Sequence, residues 1–228
     1  MPTLLDYAHL ATAVYSIDDN AVIEYLVKQG RSEWSVRVWE AGTASNGFQG
    51  AVLESDSDVV CAYKGTQLSG ATVRQDLLND VTLAINLIPS QAMAGAEMVA
   101  ATRCIAGRKP ISLVGHSLGG GLAQLLGYFS GAPFVTFNAP GMLGNVELVP
   151  FLYRGTSPGG PVRGFNMILL TDWIGNYGRH IGKTERFMTP GALNPWGGRA
   201  FMAHMMANVL LVLESKAAWA AKVLAELV

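Results

Sequence analysis

The segment that most constrains the fold is KPISLVGHSLGGGLAQLLGYFSGAPF, residues 109–134. Its first part, residues 111–114, is a short apolar run typical of a strand, and residues 118–129 carry apolar side chains at helical spacing. The motif Gly-His-Ser-Leu-Gly, residues 115–119, lies between the two. A second strand-like run, residues 134–137, follows the helix. A strand, a helix and a strand in this order predict one parallel βαβ unit.

The rest of the chain extends this pattern. Further strands are predicted at residues 34–39, 48–53, 59–63 and 165–170, with residues 180–187 as a candidate last strand. Further helices are predicted at residues 4–15, 74–79, 91–106, 201–213 and 216–227. Strands that alternate with helices after residue 59 predict an α/β fold with a mostly parallel central sheet flanked by helices. The earlier strands would add an antiparallel edge, and 228 residues suit a single domain, residues 1–228.

Composition narrows the classes of partner. Apolar residues make up 50% of the chain and charged residues only 14%, against a usual charged fraction of about 25%. There is no basic block or stripe, which excludes nucleic acid as an expected partner. The low charge fits a protein that meets lipid and equally fits a compact cytosolic enzyme, and both interpretations stay open.

No targeting or membrane-spanning segment is predicted from the sequence. The N-terminus lacks a basic start and carries Asp6 early, so no secretory signal is predicted. The longest apolar run, residues 200–213, is shorter than the ~18 residues of a membrane span. We therefore expect a cytoplasmic location or export by a route that needs no signal. Cys61 and Cys104 are too few and too distant for a zinc site or redox pair, and Cys61 is predicted to be a buried thiol.

Ser117 occupies the corner between the predicted strand and helix of the βαβ unit. In the pattern G-x-S-x-G, a strained strand-to-helix turn projects the serine hydroxyl above the sheet as a nucleophile. Gly115 and Gly119 are then required, because side chains there would collide across so sharp a turn. The bare motif is weak evidence in a chain with 26 glycines. Its place at a strand-to-helix junction favours the nucleophile over a plain glycine-rich turn.

A serine nucleophile needs a base, and the base needs a carboxylate to orient it. In folds that carry a serine on such a strand-to-helix turn, the acid and the histidine follow the serine in chain order. Asp172 is the only aspartate after Ser117, and it directly follows the predicted strand 165–170. Carboxyl ends of parallel strands are where sheets present functional groups. Asp172 is therefore the predicted acid, with Glu147 as the alternative.

Four histidines are candidates for the base. His9 precedes Ser117 on a predicted helix and suits a surface or satisfied core position. His116 adjoins Ser117 and is expected to point away from its hydroxyl, packing or hydrogen bonding beneath the turn. His180 opens the candidate last strand. His204 follows a separate loop that can reach across to the strand-to-helix turn at Ser117, called the elbow below. His204 is therefore the predicted base.

Acyl transfer by a serine nucleophile also needs hydrogen-bond donors for the oxyanion of the tetrahedral intermediate. The first is the backbone N–H of Leu118, the residue after the nucleophile. The second should come from the end of an earlier strand, where Gly65 and Thr66 follow residues 59–63. The Thr66 amide and hydroxyl are the predicted donors. An ordinary strand-ending turn is the alternative interpretation of these two residues.

Ordered segments of the chain resemble the class 3 lipases of the α/β-hydrolase fold, and especially short bacterial relatives of that family. The segments are VVCAYKGTQ, LVGHSLGGGLAQLL, PFVTFNAPG, LLTDWIGNYGRHIG and AHMMANVLLVL. They occur in the order that the family shows and cover roughly residues 59–213. The string Gly-His-Ser-Leu-Gly-Gly is the most specific of these matches.

The resemblance implies a role for each matching position. Ser117 would be the nucleophile, Asp172 the acid and His204 the base, and Thr66 would take the oxyanion position. His180 falls on a structural His-x-Gly position of the family. The implied reaction is hydrolysis of acylglycerol or phospholipid esters, with no metal or organic cofactor.

The chain departs from the family near the segment that would cover the serine. Lys64 stands where the family has arginine, Leu77 replaces a usual tryptophan, and a second His-x-Gly segment is absent. In the resembling family, the counterpart of residues 67–90 is a lid that moves aside at a lipid surface. Gly70 would be a hinge of this lid and Pro89 its stop. Packing of the same apolar residues in the core is the alternative.

The sequence thus predicts a serine ester hydrolase that acts on lipid esters and contacts lipid surfaces transiently. A phospholipase A that attacks membranes as a toxin is an alternative, and it would have a cognate inhibitor protein. An acyltransferase on the same triad is a second alternative. The third is a lipid-binding protein that kept the fold with little or no catalysis.

Overall fold

A computed structural model of the chain describes residues 1–41, 47–65, 74–149, 161–188 and 204–220, with the backbone alone described at 74–87, 89 and 148. The predicted oxyanion residue Thr66 and the predicted hinge Gly70 lie outside the described residues. The prediction of one domain over residues 1–228 stays a prediction.

A mixed sheet forms the centre of the described part of the chain. Its strands are β1 Ser35–Ala41, β2 Gln49–Glu54, β3 Val59–Tyr63, β4 Ile111–His116, β5 Phe134–Phe137, β6 Gly164–Leu169 and β7 Lys183–Phe187. They lie in the sheet in chain order. Pairing is antiparallel from β1 to β3 and parallel from β3 to β7. The predicted parallel sheet with an antiparallel edge is confirmed.

Helices cover both faces of this sheet. They are α1 Leu4–Ala13, α2 Asp19–Lys28, α3 Arg74–Ala106, α4 Leu118–Ser130 and α5 Met206–Ser215, with a 3₁₀ helix at Leu143–Leu148. The crossover helices α3 and α4 pack on one face, and α1, α2 and α5 pack on the other. Of the helices in the described residues, none combines the length and the apolar character of a membrane span.

Helix α3 corrects one prediction. The sequence predicted two helices, 74–79 and 91–106, separated by a stop at Pro89, whereas one helix of 33 residues runs through Pro89. Proline removes one backbone hydrogen bond and strains the preceding turn. Packing offsets this cost, because Ile88 and Ala92 on either side of Pro89 are buried in the core below α4.

Helix α2 was missed by the sequence interpretation. Asp18 caps it by accepting a hydrogen bond from the Ala21 N–H at 2.8 Å. Val22 and Leu26, four residues apart, are its buried residues. An acidic cap before an i, i+4 apolar pair is a helix signal that was present in the sequence.

Strand β3 shows how the two halves of the core are divided. All five of its residues are buried. Cys61 and Tyr63 face the core under α3 and α4, whereas Val60 and Ala62 face the core under α1 and α5. A central parallel strand covered on both faces reads as a continuous apolar run. Cys61 is a buried free thiol, as predicted.

Candidate active site

Ser117 lies on a sharp turn between β4 and α4. Its backbone has φ 55 and ψ −132, a left-handed conformation that costs energy in a residue other than glycine. Its N–H donates to the Phe137 carbonyl at 3.0 Å, and its own carbonyl accepts from the N–H groups of Gly120 and Gly121. The strand-to-helix elbow predicted from the sequence is thus formed and held by backbone hydrogen bonds.

The glycines that flank Ser117 are required by close backbone packing. A Cβ atom on Gly115 would overlap the backbone of Gly119, and one on Gly119 would overlap the carbonyl of Tyr63. These contacts involve backbone atoms, which cannot move aside as a flexible side chain could. The predicted collision across the turn is therefore found for Gly115, whereas Gly119 is required because the end of β3 lies against it.

Asp172 and His204 form a buried pair. The His204 Nδ1 lies 3.1 Å from Oδ1 and 3.0 Å from Oδ2 of Asp172, and the two residues are 3% and 1% exposed, respectively. The N–H groups of Ile174 and Gly175 donate to the same carboxylate at 3.1 and 3.3 Å. Asp172 follows the end of β6, so the sheet edge and four short contacts fix its position.

The pairing sets the tautomer of His204. Carboxylate oxygens only accept hydrogen bonds, so Nδ1 carries the proton and Nε2 of neutral His204 carries a lone pair. Nε2 is buried and has no hydrogen-bond partner among the described residues. A buried imidazole nitrogen with a free lone pair is suited to accept a proton from a substrate or a nucleophile.

The His204 ring lies beside the elbow. Its centroid is 4.7 Å from that of His116, the residue immediately before Ser117. The expected hydrogen bond between the Ser117 hydroxyl and His204 is not formed, since Nε2 has no partner among the described residues. Catalytic hydrogen bonds in ligand-free enzymes are often long and tighten when substrate binds.

The other candidate residues lie in different surroundings. The half-buried His180 places Nε2 2.9 Å from the Ala139 carbonyl, and burial lowers its pKa. His9 pairs with the Tyr25 hydroxyl at 3.1 Å between α1 and α2, and burial lowers its pKa as well. Glu147, the alternative acid, is an exposed residue of the 3₁₀ helix. The structure thus brings Asp172 together with His204 and with neither of these histidines.

The predicted oxyanion donors are described in part. Leu118 is the first residue of α4, where backbone N–H groups lack an intrahelical acceptor and favour negative charge. Gly65, next to the undescribed Thr66, lies against the elbow. A Cβ on Gly65 would be 2.9 Å from Ser117 Cβ and 2.6 Å from the His116 carbonyl oxygen. The end of β3 therefore approaches Ser117 as closely as a residue without a side chain allows.

Two residues that the sequence patterns did not reveal support the backbone of His204, namely Tyr15 through His116 and Asn138 directly. The Tyr15 hydroxyl lies 2.9 Å from His116 Nδ1, and His116 Nε2 lies 2.6 Å from the His204 carbonyl oxygen. Asn138 also donates to this carbonyl, at 3.3 Å. The sequence predicted a packing or hydrogen-bonding role for His116 beneath the turn, but gave no sign that Tyr15 or His204 would be its partner.

The electrostatics of His116 differ from those of an exposed histidine. Burial lowers the pKa of His116 to about 3, with the neighbouring His204 as a smaller contribution in the same direction. His116 is therefore neutral in the physiological range.

Among the described residues, no group of three His, Cys, Asp or Glu side chains is arranged to hold a metal ion.

Comparison with solved structures shows the same fold in fungal lipases. A mono- and diacylglycerol lipase from Aspergillus oryzae is 13% identical with a TM-score of 0.55, over 85% of this chain and 83% of that protein. A second fungal lipase is 14% identical with a TM-score of 0.53, over 82% and 80%. The Rhizomucor miehei lipase in complex with its propeptide is 10% identical with a TM-score of 0.50, over 82% and 68%.

Comparison by sequence identifies the family. A search of curated proteins gives no significant match. The sequence model of the phospholipase-like family, described as a Tle-like phospholipase domain, matches residues 6–148. This range is more than half of the chain and includes the Ser117 elbow, and it ends before Asp172. The expected likeness to lipases of the α/β-hydrolase fold is confirmed. The chain belongs to the phospholipase-like family, with a Tle-like phospholipase domain, and is a lipid ester hydrolase.

Proposed function

We propose that the chain hydrolyses acylglycerol or phospholipid esters through an acyl-enzyme on Ser117, with His204 as base and Asp172 as the orienting acid. One observation carries this proposal. A buried Asp172–His204 pair leaves Nε2 without a partner among the described residues, and the His204 ring lies next to a strained serine turn. These are the parts that serine-based acyl transfer requires.

The proposed reaction has two halves. In the first, His204 Nε2 takes the Ser117 proton while the serine oxygen attacks the ester carbonyl carbon, and Asp172 stabilises the imidazolium. His204 then returns the proton to the departing alcohol, which leaves an acyl-serine. In the second half, water gives its proton to His204 and attacks the acyl carbon, and the fatty acid departs as Ser117 regains its proton.

Charge develops on the carbonyl oxygen in both halves. The Leu118 N–H at the N-terminus of α4 supplies one donor, and Thr66 is proposed as the second. The close approach of Gly65 to Ser117 supports this assignment, because it places the chain just before Thr66 against the nucleophile. Donors fixed in advance stabilise the oxyanion without reorganisation during the reaction.

Exposed apolar side chains near the proposed site support transient contact with a lipid surface. Leu170 precedes Asp172 by two residues and is 46% exposed, and Met205 adjoins His204 and is 42% exposed. Met188 is 59% exposed, and it follows Phe187, whose carbonyl accepts from the Leu170 N–H. Apolar side chains near a site for lipid esters are suited to contact with lipid.

A phospholipase that attacks membranes is the second candidate, and the phospholipase-like family favours phospholipids as the ester class. If this phospholipase is a toxin, a cognate inhibitor protein would block it in the cell that makes it. Phosphatidylcholine and triglyceride emulsions, tested at equal surface area, separate the two candidates. Faster release of fatty acid from phosphatidylcholine supports the phospholipase.

Replacing Ser117 tests the mechanism itself. Ser117→Ala should lower turnover by on the order of 10⁶, because the residues of a triad act as a unit. Ser112→Ala is the matched control, since Ser112 is a buried serine of β4, the strand that leads to Ser117, and its hydroxyl accepts from Tyr7. The control should keep the wild-type kcat. Labelling by a fluorophosphonate should occur in wild type and disappear in Ser117→Ala, and a folded, active Ser117→Ala contradicts the proposal.

A further inference from the structure

A continuous set of hydrogen bonds joins the two sides of the proposed site. It begins at the Gly65 N–H, which donates to the Tyr15 hydroxyl at 3.1 Å. The Tyr15 hydroxyl is 2.9 Å from His116 Nδ1, and His116 Nε2 is 2.6 Å from the His204 carbonyl oxygen. The three bonds link the end of β3, the residue before the nucleophile and the residue proposed as base.

The direction of each bond follows from the chemistry of its atoms. A backbone carbonyl only accepts, so His116 Nε2 must carry a proton. His116 is neutral because burial lowers its pKa to about 3, which leaves Nδ1 as an acceptor. Burial also raises the pKa of Tyr15, so its hydroxyl keeps its proton and donates it to Nδ1. One arrangement of protons satisfies every group in the chain of bonds.

The backbone on either side of Tyr15 is held by the Gln49 side chain. The Gln49 side chain donates to the carbonyls of Val14 and Ser16, at 2.8 and 2.9 Å. Lys64 in turn donates to Gln49 at 2.8 Å. The backbone around Tyr15 is therefore fixed to β2 and to the end of β3, so its hydroxyl has a defined position.

We propose that Tyr15 and His116 are positioning residues that fix the backbone of His204 relative to the end of β3. This inference rests on the proposed function, because it assigns the two residues to the alignment of the base. The His204 carbonyl sets the tautomer of His116, and the Tyr15 hydroxyl donates to the lone pair left on Nδ1, so the imidazole ring is held from both sides. The same hydroxyl accepts a hydrogen bond from the Gly65 N–H. The position of Gly65, next to the proposed oxyanion residue, is therefore fixed relative to that of His204.

Loss of the Tyr15 hydroxyl would leave the lone pair of the buried His116 Nδ1 without its hydrogen-bond donor. His116 would keep its Nε2 proton for the His204 carbonyl, but its ring would be held from one side only and could tilt in its site. Asn138 would remain as a weaker support at 3.3 Å. The His204 ring would still pair with Asp172 but would be held less firmly against Ser117, and errors of position of this kind lower kcat more than they change KM.

The chain offers a matched control in Tyr7. Its hydroxyl donates to Ser112 at 2.8 Å, so each tyrosine hydroxyl bonds to one side chain of β4 from the region of α1. Tyr7 lies at the opposite end of β4 from Ser117. A purely structural role predicts equal consequences for Tyr7→Phe and Tyr15→Phe, whereas the positioning role predicts a kinetic effect for Tyr15→Phe alone.

Kinetics provide the first test. Tyr15→Phe should lower kcat by roughly 3- to 10-fold, the value of one hydrogen bond expressed in the transition state, with KM within about twofold of wild type. Tyr7→Phe should change kcat by less than about twofold, although thermal unfolding should show both variants destabilised. Equal kcat for the two variants overturns the positioning role. No turnover in wild type overturns the proposed function instead.

Nitrogen-15 NMR of histidine-labelled protein provides a test that needs no activity. Four histidines give the signals to be assigned, and His116→Gln identifies the one of interest. In wild type, the His116 signal should show a neutral ring protonated on Nε2 from about pH 5 to pH 8. In Tyr15→Phe the tautomer should be the same, but the Nδ1 resonance should shift because its hydrogen-bond donor is lost, and an unchanged Nδ1 resonance overturns the inference. A wild-type His116 protonated on Nδ1, or one that titrates in this range, overturns the inference.

Discussion

The two halves of the candidate active site differ in how far apart their residues lie in sequence. The serine half is local, because Ser117, its flanking glycines and Leu118 belong to one strand-turn-helix segment. The histidine half joins residues 32 positions apart in the Asp172–His204 pair, 88 apart between His116 and His204, and 101 apart between Tyr15 and His116. Local geometry makes the first half, and tertiary packing assembles the second.

This difference decides what a substitution does. In the serine half, the glycines are constrained by backbone atoms of adjacent elements, so a change there disturbs the fold as well as the site. In the histidine half, individual side chains hold one another by hydrogen bonds. Removing one of these side chains changes alignment or charge with less effect on the sheet, which makes this half the better target for mechanistic variants.

After Ser117, the largest fall in kcat is expected when the proposed base, His204, is replaced. His204→Ala should lower kcat by nearly as much as Ser117→Ala, on the order of 10⁶, because the proton acceptor is lost. His180→Ala is the control, since His180 bonds to the Ala139 carbonyl and has no contact with Asp172 among the described hydrogen bonds. It should lower the thermal midpoint and leave kcat within about tenfold. A folded, inactive His180→Ala beside an active His204→Ala would reverse the assignment.

The next effect comes from the acid. Asp172→Asn keeps the shape of the side chain but replaces an acceptor of the His204 Nδ1 proton by an amide, which favours the wrong tautomer of the base. We expect kcat to fall by about 10⁴, the scale of this substitution in other serine triads. Glu147→Gln, at the exposed alternative acid, should have no effect. A small loss for Asp172→Asn would show that another group orients His204.

A smaller effect is expected at the oxyanion. Thr66→Val keeps the backbone amide and removes the hydroxyl, so kcat should fall by ~10²–10³ if the hydroxyl donates to the oxyanion. KM should change little, because the ground-state carbonyl carries less charge. An unchanged kcat would mean that backbone amides alone stabilise the intermediate.

The same contrast explains what could be predicted from sequence. The elbow, β3 to β6 and the parallel order follow from short-range patterns, namely apolar runs, glycines and helical spacing. The Asp172–His204 pairing was predicted from chain order and strand ends, without geometry. Tyr15 could not have been found this way, because its partners His116 and Gly65 lie 101 and 50 positions away. The break predicted at Pro89 failed because core packing of Ile88 outweighed a local rule.

One end of the segment predicted to be a lid lies in the described residues. Residues 74–90 belong to α3, and residues 67–73 lie outside the described part of the chain. Ile88 is buried in the core, which agrees with core packing at that end of the segment. The apolar residues between 74 and 87 are described by backbone alone, so a lid over Ser117 stays a prediction.

The smallest effect is on the free energy of unfolding. It tests whether His116 is neutral in the folded protein, which the hydrogen bonds from Tyr15 through His116 to His204 require. Its pKa is lowered from 6.5 to about 3 in the folded protein, first by burial and then by His204. Below pH 6.5 the unfolded chain therefore binds a proton that the folded protein does not. The free energy of unfolding must fall as the pH falls from about 6.5 toward 3, and the contribution is fully present above pH 6.5.

His116→Gln removes this titrating group and should flatten the pH dependence. Between about pH 7 and pH 5, wild type should lose about 2 kcal/mol more unfolding free energy than the variant. His9 and His180 also have lowered pKa values, but they are present in both proteins, so the difference isolates His116. Urea unfolding followed by circular dichroism measures it, with Tyr7→Phe as a control that loses a buried hydrogen bond and keeps the wild-type slope. Equal slopes for wild type and His116→Gln would mean that His116 is accessible to protons in the folded protein, and the hydrogen-bond directions that join Tyr15 to His204 would then be wrong.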